Sequence, residues 1–548
     1  MNVAIRNKRV SKDHSPSVKM LRGCGRWASP LMVALSLTAC GGIDSRPVGT
    51  VGHIKGFAGL VAADEPRAVV VGRDVLSAGG TAADAATAMY FTLAVTYPSN
   101  ASLGGGGSCI VHDIDKNKTE VIDFSAIAST QAAAAPSAVP ANPRGFFALH
   151  AKYGLLRWDS LLAEPERLAR SGTPVSRALV SDLARSVQIL ARDPAMRAIF
   201  LRSDGGVLRE GDVLVQPDLA LVLSNIRRNT GDFYLGGGAR DLVTAVRAAG
   251  GGLTLEDLRD YRPQWRETVA VPVGNDVAHF APPPAVGSAM AAQMVGLLWN
   301  RWDSTPEDER PHLLAEMSAR AYADRARWML TTGWSTEDAA LLVSADRLET
   351  MAIGYAADHH VPVAGVKGPP AEAQTGTSFV VMDGKGGAVA CGVTSFGLFG
   401  NGRVAPGTGI VLAGVPGLNG PPAVTSMLVV NTNSKETHFA GTATGGGTAP
   451  AALVISALAT MVENKPLADA LALPRVVHPG NPDVAFVENT PYAMDPALLQ
   501  SRGHQVAGVA MPSRVEALYC PRGHKGSELC QVATDPRGFG MATVAGKR

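Results

Sequence analysis

The apolar residues between positions 82 and 95 leave almost no polar face on a helical projection. This stretch reads AADAATAMYFTLAV and lies between the pair Gly79-Gly80 and Pro98. Because glycine and proline punctuate helices, the pattern predicts a helix that is buried on nearly all sides. A second buried helix is predicted over 450–462, where Pro450 suits the first helical turn because its missing N–H would be unpaired there anyway.

Helical periodicity recurs between these two helices, in segments 176–202, 217–228, 240–249, 284–298 and 310–330. After Gly384, β-branched strands and glycine turns dominate. Strands and helices alternate without the regular spacing of βαβ units, and short glycine turns join many strand pairs. This arrangement favours antiparallel sheets with helices packed outside them. The sequence therefore predicts an α/β (α+β) protein folded as one large globule.

Composition narrows the function classes. The chain has 548 residues, 46% hydrophobic and 18% charged, which is enough for several layers of core. Its formal charge is +2, but residues 1–39 hold seven basic residues and one acidic residue, so the remainder carries −4. Such a body argues against a nucleic-acid partner, which requires basic surface to displace counterions. No run of eighteen apolar residues is present, so no ordinary membrane span is expected.

The N-terminal residues have the layout of an export signal. A basic stretch ends at Arg26, an apolar run covers 30–39, and small residues lead to Cys40 in a Leu-Thr-Ala-Cys sequence that resembles a bacterial lipobox. We expect 1–39 to be a signal peptide, Cys40 to be lipidated and 40–55 to be a linker. The protein would then be anchored by lipid at the periplasmic face of a bacterial membrane. Plain secretion, or a chance apolar segment, are the alternatives.

Export allows disulfides to form. Cys520 and Cys530 flank a polar loop containing proline and glycine, and they could pair. Cys109 and Cys391 lie in apolar strands, so they are expected to be small buried fillers.

A β-hairpin is predicted around the turn sequence Asp383-Gly384-Lys385-Gly386-Gly387. One strand begins near Thr377 and the other ends at Thr394. If the turn is centred on Lys385-Gly386, Thr377 faces Thr394, and opposed threonines can hydrogen-bond. Ordinary strand threonines are the alternative interpretation of this pair.

Several short motifs, in order along the chain, resemble the γ-glutamyltransferase (γ-glutamyltranspeptidase) family of N-terminal-nucleophile hydrolases. Each is weak alone, but together they cover nearly all of the chain from about residue 60. The motifs are Gly79-Gly80-Thr81-Ala82-Ala83-Asp84-Ala85, Leu103-Gly104-Gly105-Gly106-Gly107, 211–219, 253–258, Tyr261, Trp265-Arg266-Glu267, Pro282-Pro283-Pro284, Phe399-Gly400, Gly407-Thr408-Gly409-Ile410 and Asp535-Pro536-Arg537.

The resemblance implies a fold and a mechanism. The expected fold is a four-layer αββα sandwich, two antiparallel sheets between helical layers. Family members are made as one inactive chain, and a threonine splits it by attacking its own preceding peptide bond. A large subunit from 56–376 and a small subunit from 377–548 would result. The freed α-amine, with an ordinary pKa of about 7.7–8.0, then activates the threonine hydroxyl towards a small-molecule amide, and no metal or organic cofactor is expected.

Gapless matching back from Asp383 puts Gly376 at the family's nucleophile position, so a one-residue slip is required. Thr377 is the expected nucleophile and Thr375 is the alternative. Thr394 matches a second family threonine that positions the nucleophile.

Two further matches complete the expected site. Gly446 and Gly447 resemble the glycine pair of the family's oxyanion turn, although a tight turn before the helix at 450 would use the same residues. Thr425 and Ser426 stand where the family has a substrate-binding serine pair.

The substrate-binding positions depart from the family pattern. Ser125 follows Asp123-Phe124 where the family has an arginine for the substrate carboxylate. Phe396 replaces an asparagine, and the segment 413–417 lacks the acid that holds the substrate amine. An uncharged pocket desolvates a zwitterionic glutamyl group at high cost, so we expect glutathione to be a poor substrate and a less polar acyl group to fit better.

Other chemistries have little support. No Gly-x-Ser-x-Gly elbow and no phosphate loop is present. His359 and His360 follow Asp358 in a polar loop and are expected to be solvated, with no metal site. The glycine run 104–107 is expected to serve close packing rather than anion binding. The alternative to an enzyme is a catalytically impaired, exported lipoprotein that keeps the fold as a binding or structural protein.

Overall fold

The computed structural model describes residues 56–363, 375–422, 424–489 and 491–546. The signal peptide 1–39, the lipidation site Cys40 and the linker 40–55 that the sequence predicts therefore lie outside the described residues. No helix in the described part of the chain combines the length and the apolar character that a membrane crossing requires.

The strands of the described chain are β1 Gly59–Ala63, β2 Gly106–Asp113, β3 Lys118–Phe124, β4 Thr173–Pro174, β5 Val213–Leu214, β6 Gln264–Arg266, β7 Val269–Val273, β8 Asp276–Phe280, β9 Thr377–Asp383, β10 Ala388–Thr394, β11 Val404–Ala405, β12 Ile410–Val411, β13 Val424–Asn431, β14 Thr437–Thr444, β15 Val476–Val477, β16 Ala485–Glu488, β17 Val506–Val509, β18 Arg514–Tyr519, β19 Gln531–Thr534 and β20 Met541–Ala545.

The α-helices of the same residues are α1 Pro66–Ser77, α2 Ala82–Thr96, α3 Asn142–Tyr153, α4 Trp158–Leu161, α5 Ala163–Ser171, α6 Arg177–Arg185, α7 Val187–Leu190, α8 Pro194–Phe200, α9 Pro217–Arg228, α10 Thr230–Leu235, α11 Gly237–Ala248, α12 Leu255–Asp260, α13 Val286–Trp302, α14 Arg310–Trp328, α15 Ala345–Ala352, α16 Ala449–Met461, α17 Leu467–Leu471 and α18 Ala497–Gln500.

Two large antiparallel sheets form the centre of the fold. The first has the strand order β20-β1-β9-β10-β2-β3-β6 and the second has the order β19-β18-β14-β13-β8-β7. Strands β9 and β10 contact β13 and β14, so the two sheets lie face to face. Both sheets combine strands from the N-terminal and the C-terminal parts of the chain.

The alternation of side chains along each strand produces the layers. In β9, Val380 and Met382 belong to the core between the sheets, whereas Phe379 and Val381 belong to the core beneath the helices of the first sheet. This is the period-two geometry of an extended strand that is buried on both faces. Helices α13, α14 and α16 share a third core with the outer face of the second sheet. The predicted αββα sandwich of antiparallel sheets is thereby confirmed.

The two predicted all-round apolar helices are confirmed as α2 and α16. Every residue of α2 is buried, and its start is fixed by a capping box in which Thr81 and Asp84 bond each other's backbone N–H. The pattern over 176–202 corresponds to three short helices, α6, α7 and α8. Asp193 is the N-cap of α8, and Pro194 is the first residue of that helix.

The predicted register of the β9–β10 hairpin is wrong by one residue. Thr377 pairs with Val393, and Thr394 pairs with Gly106 of β2. The reason is the turn: Asp383 N donates to Gly387 O over 2.9 Å, which leaves a three-residue loop in place of a two-residue one. Gly386 has a φ of +93°, a conformation that glycine adopts without strain.

The cysteine expectations are half right. Cys520 and Cys530 form a disulfide, as predicted. Cys109 and Cys391 are not fillers, because they form a second disulfide between β2 and β10. The sequence could not show this pairing, since the two cysteines are 282 residues apart and only the strand register brings them opposite each other.

Candidate functional site

Thr377, the first residue of β9, lies beside a buried carboxylate. Its Oγ1 donates to Asp64 Oδ2 over 2.9 Å, and the backbone N–H of Ser378 donates to the same oxygen over 3.3 Å. Asp64 directly follows β1, which pairs with β9, so the sheet itself delivers the carboxylate to the start of β9. Thr377 has no exposed surface and Asp64 is 2% exposed. A buried hydroxyl is thus hydrogen-bonded to a potential proton acceptor.

A second carboxyl and one arginine complete this buried group. Arg514, the first residue of β18, lies 3.2 Å from Asp64 Oδ1 through its Nε. Glu516 accepts a hydrogen bond from Ser378 Oγ over 2.9 Å. Burial, reinforced by the neighbouring Asp64 carboxylate, raises the pKa of Glu516 well above its ordinary range. The protonated form of Glu516 is therefore favoured, and Arg514 places a positive charge beside Asp64.

The peptide group between Thr375 and Gly376 is hydrogen-bonded on both sides. Gly376 N donates to Asn100 Oδ1 over 2.9 Å, and Thr394 Oγ1 donates to Thr375 O over 3.0 Å. Thr394 Oγ1 in turn accepts from Phe396 N over 2.9 Å. A Cβ at Gly376 would lie 3.1 Å from Val393 O, so this position favours glycine. The two contacts fix the backbone that leads into Thr377.

Thr375 is placed differently from Thr377. Its Oγ1 is buried and has no hydrogen-bond partner in the described chain. No carboxylate therefore contacts its hydroxyl, in contrast to the Thr377–Asp64 pair.

The glycine turn at 445–447 lies at the same end of the two sheets. It follows Thr444, which pairs with Arg514, the residue that contacts Asp64. Gly445 and Gly446 have φ values of +116° and +66°. A Cβ at Gly445 would lie 2.4 Å from Ser513 Cα, so no larger residue fits there. Gly447 O accepts a hydrogen bond from Tyr322. The segment is a tight turn between β14 and α16.

The hydroxyls of Thr425 and Ser426 also belong to this end, because Val424 at the start of β13 pairs with Thr444. Ser426 N donates to Ser288 Oγ of α13 over 2.9 Å. Thr425 Oγ1 is buried without a hydrogen-bond partner in the described chain. It faces Gly287, where an added Cβ would lie 2.3 Å from it.

The glycine run 104–107 packs against backbone, as predicted. A Cβ would lie 2.4 Å from Thr394 O at Gly105 and 2.2 Å from Gly392 O at Gly107. Only glycine permits such an approach of β2 to β10. The run therefore supports Thr394 through close packing.

Ser125 lines a cavity at the same end of the first sheet as Thr377. Phe124, Gly107, Val393 and Thr377 form one row of paired residues across the sheet, and Ser125 is one residue beyond this row. At about 4.8 Å per strand, Ser125 lies on the order of 10 Å from the β10 strand.

The cavity beside Ser125 has a volume of about 470 Å³ and is also lined by Asp123, Ile127, Tyr261 and Trp334. Arg266 contacts two of these residues, through an ion pair with Asp123 at 3.2 Å and its position over the Trp334 ring, and it donates a hydrogen bond to Pro283 O. Of the residues that line this cavity, Arg262 is the only basic one, and acids including Asp123 and Glu256 outnumber it.

Sequence reasoning missed four residues of this site: Asp64, Asn100, Arg514 and Glu516. The one local signal was Asp64, an acid placed directly after the fully buried strand β1. Arg514 and Glu516 reach this site through the stacking of the two sheets, and Asn100 reaches it from the loop between α2 and β2. The prediction that His359 and His360 are both solvated is half wrong, because the side chain of His359 is 64% exposed but that of His360 is only 7% exposed. His360 is buried by contacts with distant residues, Glu316 and Asp483.

The chain is similar in sequence to known proteins over much of its length. The gamma-glutamyltranspeptidase family model matches residues 68–414. A glutathione hydrolase proenzyme of Pseudomonas aeruginosa is 30% identical over 381 residues, 65% of this chain and 67% of that protein. A glutathione hydrolase proenzyme of Escherichia coli K12 is 28% identical over 540 residues, 87% of this chain and 90% of that protein.

The solved structures show the same fold. A cephalosporin acylase from Bacillus halodurans aligns with a TM-score of 0.75 at 21% identity, over 93% of this chain and 99% of that chain. Since the family model spans well over half of the 548 residues, the chain belongs to the gamma-glutamyltranspeptidase family.

Proposed function

We propose that this chain is a self-processing N-terminal-threonine amide hydrolase or acyl transferase, with Thr377 as its nucleophile. Thr377 Oγ1 attacks the carbonyl carbon of Gly376, the bond from that carbon to the Thr377 nitrogen breaks, and the nitrogen takes a proton. Water then hydrolyses the resulting ester. The products are a large subunit ending at Gly376 and a small subunit beginning at Thr377.

The observation that carries this proposal is the 2.9 Å hydrogen bond from Thr377 Oγ1 to Asp64 Oδ2. A hydroxyl becomes a competent nucleophile when an adjacent base accepts its proton. Asp64 serves as that base during cleavage, with Arg514 Nε 3.2 Å from its other oxygen and Glu516 hydrogen-bonded to the neighbouring Ser378. Thr375 Oγ1, the alternative, has no such partner among the described residues.

After cleavage the new α-amine of Thr377 takes over as the base, since its ordinary pKa of about 7.7–8.0 leaves a useful neutral fraction at ambient pH. The acyl group of the substrate is transferred to Thr377 Oγ1, and water or an amine then releases it. Thr394 and Asn100 hold the backbone beside the reacting residue. The backbone N–H groups of Gly446 and Gly447 stabilise the oxyanion, which is typically worth about 3 kcal/mol for one donor.

The fold keeps the two subunits together after cleavage. In the first sheet, β9 from the small subunit lies between β1 of the large subunit and β10. The second sheet likewise inserts β13 beside β8. The disulfide between Cys109 and Cys391 would link the subunits covalently.

The substrate we propose is a small-molecule amide whose acyl group is less polar than γ-glutamyl. Ser125 offers a hydroxyl where an α-carboxylate would need a cation, and acidic residues outnumber the single arginine, Arg262, among the residues that line the adjoining cavity. A carboxylate buried without a cationic partner is unfavourable. Glutathione is therefore a poor substrate, and Thr425 and Ser426 supply hydroxyls for the remaining polar contacts.

We expect the wild-type enzyme to hydrolyse glutaryl and aliphatic acyl anilides at least about tenfold faster than γ-glutamyl anilide, because a charged hydrogen bond is worth about 1.5–3 kcal/mol. Ser125→Arg should shift this ratio towards γ-glutamyl by a similar factor. Thr130→Arg, which adds the same charge elsewhere on the cavity wall, should shift it less. Brisk hydrolysis of glutathione by the wild type contradicts this assignment.

We also propose that the protein is exported and anchored by lipid at Cys40. In a bacterial host, wild-type protein should partition into the detergent phase, and Cys40→Ser should move it to the aqueous phase, because several acyl chains are needed for firm anchoring. Cys24→Ser serves as the matched control and should behave as wild type. Mass spectrometry that finds an unmodified Cys40 in the membrane fraction would refute the anchor.

A further inference from the structure

Five ionisable side chains that the proposed reaction does not use meet around α14: His312, Glu316, His360, His478 and His504. His312 and Glu316 are on α14 itself, His478 follows β15, and His504 lies between α18 and β17. His312, Glu316, His478 and His504 are buried, with at most 4% of their surface exposed. Burying several imidazole rings together is unfavourable unless their nitrogen atoms are hydrogen-bonded or bind a ligand.

The donor atoms of three of these residues already converge. His312 and Glu316 are four residues apart, so they project from one face of the helix. His312 Nδ1 lies 2.8 Å from His504 Nε2, and Glu316 Oε1 lies 3.7 Å from the same nitrogen. One donor atom from each of the three lies within 4.8 Å of the other two. Ligands of a tetrahedral zinc ion are about 3.3 Å apart, given zinc–nitrogen bonds of about 2.0–2.1 Å.

Outer contacts orient the two histidines that face Glu316. His312 Nε2 lies 2.9 Å from Ala356 O, which can only accept, so Nε2 carries the proton and Nδ1 presents a lone pair. His360 Nε2 lies 3.0 Å from Asp483 Oδ1, while its Nδ1 lies 2.6 Å from Glu316 Oε1. Metal-binding histidines are commonly held by a carbonyl or carboxylate on the far ring nitrogen in this way.

The cluster also contains two buried nitrogen atoms that make no hydrogen bond within the described chain, His504 Nδ1 and His478 Nε2. Asp483 Oδ1 lies 3.5 Å from His478 Nε2. A buried polar atom without a partner is costly. The side chains of His360, His478 and His504 form a second group whose donor atoms lie within 4.8 Å of one another, and it shares His504 with the first.

We propose that this cluster binds one divalent transition-metal ion of the zinc class through His312 Nδ1, Glu316 Oε1 and His504 Nε2, whose donor atoms converge. A shift of His360 Nδ1 away from Glu316 Oε1, from which it lies 2.6 Å, would supply the fourth ligand. Imidazole nitrogens suit zinc and its neighbours, whereas magnesium and calcium prefer oxygen ligands. Arg320 holds the other carboxylate oxygen, Glu316 Oε2, over 2.6 Å and so fixes the ligand oxygen. A closed set of four protein ligands is typical of a structural site.

The ion would act as a clamp between the subunits, a consequence that rests on the proposed cleavage before Thr377. His312, Glu316 and His360 would belong to the large subunit, and His504 to the small one. His360 lies 16 residues before Gly376, so the ion would fasten the end of the large subunit to the body of the fold.

The test uses tag-free mature protein, incubated with Zn²⁺, desalted and analysed for metal. We expect about one zinc per chain, and a chelator-treated sample loaded with Co²⁺ should show the visible absorption of tetrahedral cobalt. Glu316→Gln and His504→Ala should weaken zinc binding by about tenfold or more. His359→Ala, a neighbouring exposed histidine, should bind as wild type.

A wild-type sample that retains no zinc after desalting and gives no cobalt absorption overturns the proposal. So does retention of a full equivalent by both Glu316→Gln and His504→Ala. If a variant fails to fold, the thermal midpoint of the wild type decides: a chelator should lower it, and Zn²⁺ but not Mg²⁺ should restore it. Zinc content of an uncut Thr377→Ala chain should equal that of the wild type, which separates metal binding from cleavage.

Discussion

Thr377→Ala is expected to leave the chain uncut and to reduce amide hydrolysis by about 10⁴-fold or more, because the substitution removes the nucleophile of both reactions. On a reducing denaturing gel the wild type should give two fragments and the variant one. Reduction is necessary because the Cys109–Cys391 disulfide crosses the proposed cleavage point.

Thr375→Ala is the matched control, since it removes a buried hydroxyl two residues away that has no partner in the described chain. It should be cut and should remain active. If instead Thr375→Ala blocks cleavage and Thr377→Ala does not, the nucleophile is assigned to the wrong threonine. A wild-type chain that never splits would favour the catalytically impaired binding protein.

Asp64→Asn is expected to slow self-cleavage by about 10²–10⁴-fold, the usual contribution of a positioned general base. The asparagine retains the shape of the side chain but cannot accept the proton of Thr377 Oγ1. The half-time of cleavage, followed on gels after cell-free synthesis, measures the effect directly.

Glu65→Gln provides the control for Asp64→Asn. Glu65 is an adjacent buried acid, but its carboxylate accepts from Ala68 N and Thr96 Oγ1 and does not contact Thr377. This variant should be cut at nearly the wild-type rate. Cleavage of Asp64→Asn at the wild-type rate would remove Asp64 from the mechanism.

The architecture was largely accessible from the sequence because its signals are local. The apolar run of α2 and the short glycine turns between strands each depend on neighbouring residues, and together they indicate helices outside antiparallel sheets. The hairpin register was not accessible to the same accuracy. Asp383 bonds the backbone of Lys385 and Gly387 and Ala82 of α2, and these contacts select a three-residue loop over the two-residue loop that composition favoured.

The site was only partly predictable, for a physical reason. The motif residues Thr377, Thr394 and the glycine turn are recognisable in the sequence, but their partners are set by pairings between distant strands. Asp64 reaches Thr377 across 313 positions of sequence, and no periodicity reports such a contact. The same holds for the histidine cluster. His360 looked like a solvated loop residue until the fold placed Glu316 and Asp483 against it.

The N-terminal sequence and mass of the smaller fragment of purified wild-type protein would test the proposed self-cleavage before Thr377. We expect a fragment that begins Thr377-Ser378-Phe379 and a partner that ends at Gly376. An unbroken backbone between 370 and 380, or a fragment that begins at Thr375, would contradict it.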